Sequence, residues 1–251
     1  MLSRILIAAA ALGVLGAPAE PLRYRIEVKS AQQMDMSAMG QGNMNINLTS
    51  TGWVSITSRD SGGATLLHVV IDSAVMDAGE LSAQMPPEML SIAKGTALDL
   101  SVVAGKLQIP NPETIGASPA MSLIVAGVSM LYPTVRAGVK LGDSWVDTTT
   151  TDTTSSLGKG TTTQIRKWKA STQDGDALVL DVDFAGTLKM DGAMMTIAGT
   201  STGTSHATLP PKGAARRASN ETKSDMRMTL TSAGTEIHAV GTTTIAIVPL
   251  P

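Results

Sequence analysis

The sequence predicts a mainly β protein built as a large curved antiparallel sheet, either an open barrel or a sandwich, with two short helices. Three observations predict it. Apolar and polar residues alternate with a period of two along much of the chain, the pattern of strands with one buried face. Turn-forming pairs such as Asp174-Gly175 and Asp191-Gly192 recur at intervals that suit long hairpins. Threonine and serine crowd Thr148 to Ser156 and Thr200 to Thr208, and β-branched threonine suits an exposed strand surface.

The chain begins with Met1-Leu2-Ser3-Arg4, an apolar run from Ile5 to Gly16, and Ala17-Pro18-Ala19 before Glu20. That order of charged, apolar and small residues is that of a secretory signal peptide, with cleavage expected after Ala19. A bilayer crossing needs about 20 apolar residues, and the run is too short for one. We therefore expect residues 1–19 to be a signal peptide and 20–251 a single β domain with a helical insertion around 84–133. The protein is expected to be exported, periplasmic or extracellular, with no transmembrane span in its mature part. The chain has no cysteine, which excludes disulfides, thiolate metal sites and a lipidated cysteine.

The first strand runs from Leu22 to Lys29, with Leu22, Tyr24, Ile26 and Val28 on one face and four charges on the other. Met44, Ile46, Leu48, Val54 and Ile56 continue the alternation, and Gly52 falls where a bulge or bend fits. Thr65 to Met76 is apolar on both faces and reads as a more buried strand. Pro86 to Gly95 has prolines at its start and glycine after a lysine at its end, so it reads as a short helix. A strand around Leu98 to Leu107 follows. The second helix spans Ser118 to Tyr132, capped by Ser118, opened by Pro119 and stopped by Pro133. It is apolar nearly all round and must be covered on most sides. From Ser144 onward the chain returns to strands, the clearest with Leu178, Leu180, Val182, Phe184, Leu188 and Met190 facing in. Leu209 to Asn220, basic and bearing Pro and Gly, reads as a solvated loop.

The net charge of −2 excludes the basic footprint of a nucleic-acid binder. With one Phe, two Tyr and three Trp, base-stacking platforms and aromatic girdles of a membrane barrel are also poorly supplied. His68, His206 and His238 fall on separate strands with no ligand at metal spacing, and no catalytic motif is present. Asp181 and Asp183 share an outward face and would be the carboxylates of a hydrolase, the weakest reading. No enzyme activity and no cofactor are expected. Met34, Met36, Met39 and Met44 lie within eleven residues and would suit Cu(I), whose preference is for soft thioethers. Copper binding is the weaker reading, because the even parity of Met34, Met36 and Met44 more simply continues the apolar face of the adjoining strands.

A curved sheet, a helix apolar on all sides and flexible methionines together predict a concave site for a lipid or other apolar small molecule. Met121, Leu123, Ile124, Val128 and Met130 would line or cover it. The alternative is a structural or adhesive cell-envelope module whose threonine-rich faces meet a protein partner of unknown identity.

The stretch Tyr132 to Thr148, containing Gly142-Asp143-Ser144-Trp145, resembles a family of uncharacterised secreted bacterial proteins in which a proline-bearing segment leads into a Gly-Asp-Ser/Thr-Trp strand start. That resemblance implies no activity. Gly142-Asp143 supplies a turn and Trp145 an anchor, which makes the motif a structural one. The order of strands, helices and a longer meander is similar to the half-open barrels of periplasmic lipoprotein carriers, which implies a ligand pocket by architecture alone. The N-terminal sequence of the exported protein should begin at Glu20; intact Met1 in that fraction would exclude cleavage.

Overall fold

The computed structural model describes residues 20–79, 82, 91–92, 94–103, 106–109, 119–155 and 158–251. Twelve strands are described: β1 (Leu22–Asp35), β2 (Asn43–Ser61), β3 (Ala64–Asp77), β4 (Ser91–Ile92), β5 (Thr96–Val103), β6 (Lys106–Gln108), β7 (Ser144–Ser155), β8 (Gly158–Asp174), β9 (Ala177–Asp191), β10 (Met195–Leu209), β11 (Arg217–Leu230) and β12 (Thr235–Pro249). One helix, α1 (Pro119–Met130), and a 3-10 turn (Ser37–Met39) complete the described elements. The predicted signal segment lies outside the described residues.

Eleven strands form one open antiparallel sheet in the order β6-β5-β3-β2-β1-β12-β11-β10-β9-β8-β7, and β4 pairs with β3 beside this path. Two meanders thus meet where the first and last strands pair, with Ile26 opposite Ile247 and Val28 opposite Ile245. The chain leaves the first meander at β6 and enters the second at β7, the opposite edge. To get there it must cross a face of the sheet, and α1 packs on the inner one among the side chains of Ile26, Val54, Ile56 and Ile71.

Parity decides which residues share that inner face. Even positions of β1, β2, β9 and β11 and odd positions of β10 and β12 are opposite one another across every ladder. The alternation read from the sequence is therefore the burial pattern observed, and Leu180, Val182 and Met190 are buried as expected. A β-bulge between Trp53 and Val54 on the β2 ladder leaves Asp72 of β3 as the extra residue, next to the bend expected at Gly52. Asp72 is held by a 2.8 Å hydrogen bond from the Ser55 hydroxyl.

Three expectations need correction. Within the segment read as a first helix, Ser91-Ile92 is strand and Lys94-Gly95 a turn: the strand pairs with Val75 and Ala74, the stretch of β3 beyond the end of β5. The strand expected from Leu98 to Leu107 is a hairpin, since β6 folds back so that Lys106 opposes Val103. The loop after β10 is solvated only in part. Lys212 and Gly213 are exposed, but Ala214 and Ala215 are buried. Ala215 donates its N–H to the Leu131 carbonyl at 2.7 Å and accepts the Tyr24 hydroxyl at 3.0 Å. Small side chains let this backbone wedge between α1 and the sheet, a placement that composition does not reveal.

Two glycines set the depth at which α1 sits. The Ile124 side chain occupies the space a Cβ on Gly52 would need, and a Cβ on Gly127 would lie 2.6 Å from Ile26 Cγ2. Real contacts do not come this close, so helix and sheet meet glycine to isoleucine in both directions. Replacing Gly127 with Val should lower the urea midpoint, with a loss of about 1–3 kcal/mol from overpacking. A midpoint equal to that of the parent would show that α1 can ride higher on the sheet.

Candidate functional site

Beyond α1 the inner face opens into a trough of about 1030 Å³. Its floor follows two cross-strand rows. One runs Trp168, Val182, Ser205, Asn220 and Ile245 across β8 to β12; the next contributes Arg166 and Phe184, whose ladder continues to Gly203 and Thr222 beyond the lining residues. Gly203 gives the floor its depth, because a Cβ there would sit 2.6 Å from Phe184 Cζ, so the phenyl ring lies down over the glycine. Ala126, Ser129, Met130 and Tyr132 form one wall. Residues of β6 and of β7, the two sheet edges, also line it, so the sheet curls until its opposite edges flank one trough.

The β7 wall is fixed by a stack of rings and guanidinium groups. Trp145 and Trp168 are cross-strand partners with centroids 5.4 Å apart and planes 3° from parallel. Arg136 covers the outer face of Trp145 at 4.8 Å, and Arg166 lies 5.3 Å from the Trp168 centroid. Asp147 ties the inner end: its carboxylate accepts Arg166 Nε at 2.8 Å and Trp168 Nε1 at 3.0 Å. Asp143 ties the outer end, accepting Arg136 Nη2 at 2.9 Å and the Lys140 N–H at 3.1 Å. Gly142, at φ 88°, makes the turn that starts β7, and its N–H donates to the Ala170 carbonyl. The Gly142-Asp143-Ser144-Trp145 motif is thus an anchor, the role expected of it.

Burial raises the pKa of the Tyr132 hydroxyl, and proximity to Tyr24 adds to the shift, so this wall stays uncharged. The buried Thr149 hydroxyl has no hydrogen-bond partner among the described residues.

The five helix residues singled out in the sequence divide. Met130 lines the trough, while Ile124 and Val128 are 1% and 0% exposed and belong to the core. Met121 and Leu123 pack, partly buried, against that core. Trp168, Val182, Phe184 and Ile245 were legible as inward positions or apolar strand residues, but the sequence offers no signal that they share a hollow, because they come from three strands, β8, β9 and β12. Met34 and Met44 are cross-strand partners, and Met36 and Met39 flank or lie in the 3-10 turn.

The histidines and their carboxylates lie on the outer face. His68 meets Asp99 at 2.7 Å, His206 meets Asp181 at 2.6 Å, and His238 meets Asp225 at 2.8 Å. Each pair spans neighbouring strands, so residues 31, 25 and 13 positions apart are joined with no local spacing to announce it. Among the described residues no group of three or more His, Cys, Asp or Glu is placed to hold a metal ion. No described helix is long and apolar enough to cross a membrane.

No protein-family model matches the chain, and a search of curated proteins finds no match. Among solved structures, one concerned with lipid–protein interactions in lipovitellin is similar over 94% of this chain and 25% of its own length, with a TM-score of 0.44 and 10% identity. The chain thus spans a quarter of that protein, and at this score the likeness carries no weight for fold or function.

The Lys140 N–H and the Arg136 guanidinium hold the Asp143 carboxyl below its usual value of 3.8. A lowered carboxylate pKa stabilises the fold above the unfolded value, and the contribution fades as pH falls through the folded one. Asp143→Asn should therefore unfold at a lower temperature than the parent at pH 6, and the gap should close as pH is taken toward 2. A gap independent of pH would assign the loss to packing instead.

Proposed function

We propose that this protein is a non-enzymatic binding or carrier module that takes an apolar or amphipathic small molecule into the trough. The observation that carries the reading is the hollow itself: about 1030 Å³ on the inner face of the sheet, with Trp168, Val182, Phe184, Ile245 and Met130 around it. Its size reaches the upper end of the ~300–1,000 Å³ that small-molecule sites occupy. Apolar surface left uncovered in water is unfavourable by about 25 cal/mol per Å², and a greasy ligand recovers that energy. The hollow around His68 and Asp99 is smaller, about 570 Å³, and is lined partly by exposed groups on the outer face. We further propose that the protein works after export, as its first nineteen residues suggest.

The alternative, an adhesive or structural module, draws on β7 as the last strand of the sheet among the described residues and on its run of threonines. The two readings part in solution. Delipidated protein should bind an apolar fluorescent probe saturably at one per chain, with Trp168 emission changing in step. Phe184→Asp should weaken that binding about tenfold or more while circular dichroism stays unchanged, since a buried carboxylate opposes an apolar ligand. No saturable binding by the parent would end the carrier reading and leave the interaction module.

A further inference from the structure

We infer that the trough selects an amphiphile with an uncharged head rich in hydroxyl or amide groups, over a fatty-acid anion or an alkyl cation of equal length. The inference rests on the proposed binding of an apolar ligand and adds what the head must be. Four charged side chains line the trough, Lys106, Asp147, Asp152 and Arg166, two of each sign.

The inner pair is closed on itself. Arg166 gives Nε and Nη2 to the two Asp147 oxygens at 2.8 and 3.3 Å and sets its guanidinium against Trp168. Asp147 receives Trp168 Nε1 as well. An arriving carboxylate would find its cation already engaged and an aspartate beside it; an ammonium would find its anion engaged and an arginine beside it. Lys106 and Asp152 are exposed on the β6 and β7 edges and keep their water, so at the inner pair either head would lose water without a free counter-charge, which is costly in a partly enclosed site.

The capacity that remains is neutral. The Thr149 hydroxyl is buried without a partner among the described residues, one row from Asp147 on the same inward face. The Gln164 amide is its cross-strand neighbour, and both line the trough. Among the described residues β7 pairs only with β8, so alternate N–H and C=O groups along its other edge have no described strand partner, and Asp147 to Asp152 line the hollow consecutively along it. Donors and acceptors therefore stand together, all uncharged, at one end of an apolar floor. A glyceride or an N-acyl amide matches them; a simple ion does not.

The test uses three probes with one dodecyl-length tail, below their micelle concentrations: glycerol monolaurate, laurate and dodecyltrimethylammonium. Titration calorimetry of the full mature chain should show the monoglyceride binding about tenfold tighter than either ion, a difference the size of one well-made hydrogen bond. Thr149→Val, which keeps the shape and strand propensity, should erase most of that advantage without weakening the ions. Asp147→Asn, which releases Arg166, should raise laurate affinity. If laurate or the cation binds as tightly as the monoglyceride, the head-group inference is overturned while apolar binding stands. If none of the three binds, the apolar-ligand reading fails and the inference with it.

Discussion

Helix α1 is held to the sheet by two reciprocal contacts, Ile124 over Gly52 and Ile26 against Gly127. Everything on the inner face depends on this depth. With α1 seated so low, Ile124, Val128 and Leu131 complete a core with β1, β2, β3 and β12. The helix then brings the Leu131 carbonyl to Ala215 and fixes the wedge after β10. Because the core absorbs the helix's apolar side chains at one end of the sheet, the trough beyond it is bounded by what is left: Met130, Ser129 and Tyr132. A bulkier residue at either glycine would lift the helix and alter core and trough together, since close-packed interiors transmit such changes.

The second organising element is the stack at the β7 edge. An edge strand has no neighbour to hold its side chains or discourage pairing with other chains. Here Trp145 is clamped between Trp168 and Arg136, and aspartates at both ends fix the guanidinium groups. The clamp orders β7, which is both a sheet edge and a wall of the trough. It also pairs Asp147 with Arg166, two of the charges that line the hollow, which links edge protection to the kind of molecule the hollow favours.

The outer face follows a different logic. Its histidines are each matched by an aspartate on an adjacent strand, and threonines fill many of the remaining positions. These pairs are exposed and contribute little individually to stability. They lie across the sheet from the trough, so polar pairing and apolar concavity are divided between two faces of one layer.

Periodicity made most strands legible, because a half-buried sheet imposes period two on every residue of a long strand; Leu178 to Met190 showed it plainly. Pro119 and Pro133 bounded α1 for equally local reasons, since proline fits a helix start and disrupts a helix interior. By itself, then, the sequence determined a mainly β chain with a buried apolar helix and an inward set of side chains. Only the tertiary structure decided that β1 and β12 pair at the centre, that Ala214-Ala215 is buried, that each histidine meets an aspartate, and that three strands place Trp168, Val182, Phe184 and Ile245 around one hollow. Those outcomes depend on register and curvature between segments distant in sequence, and local alternation is the same whichever strands become neighbours.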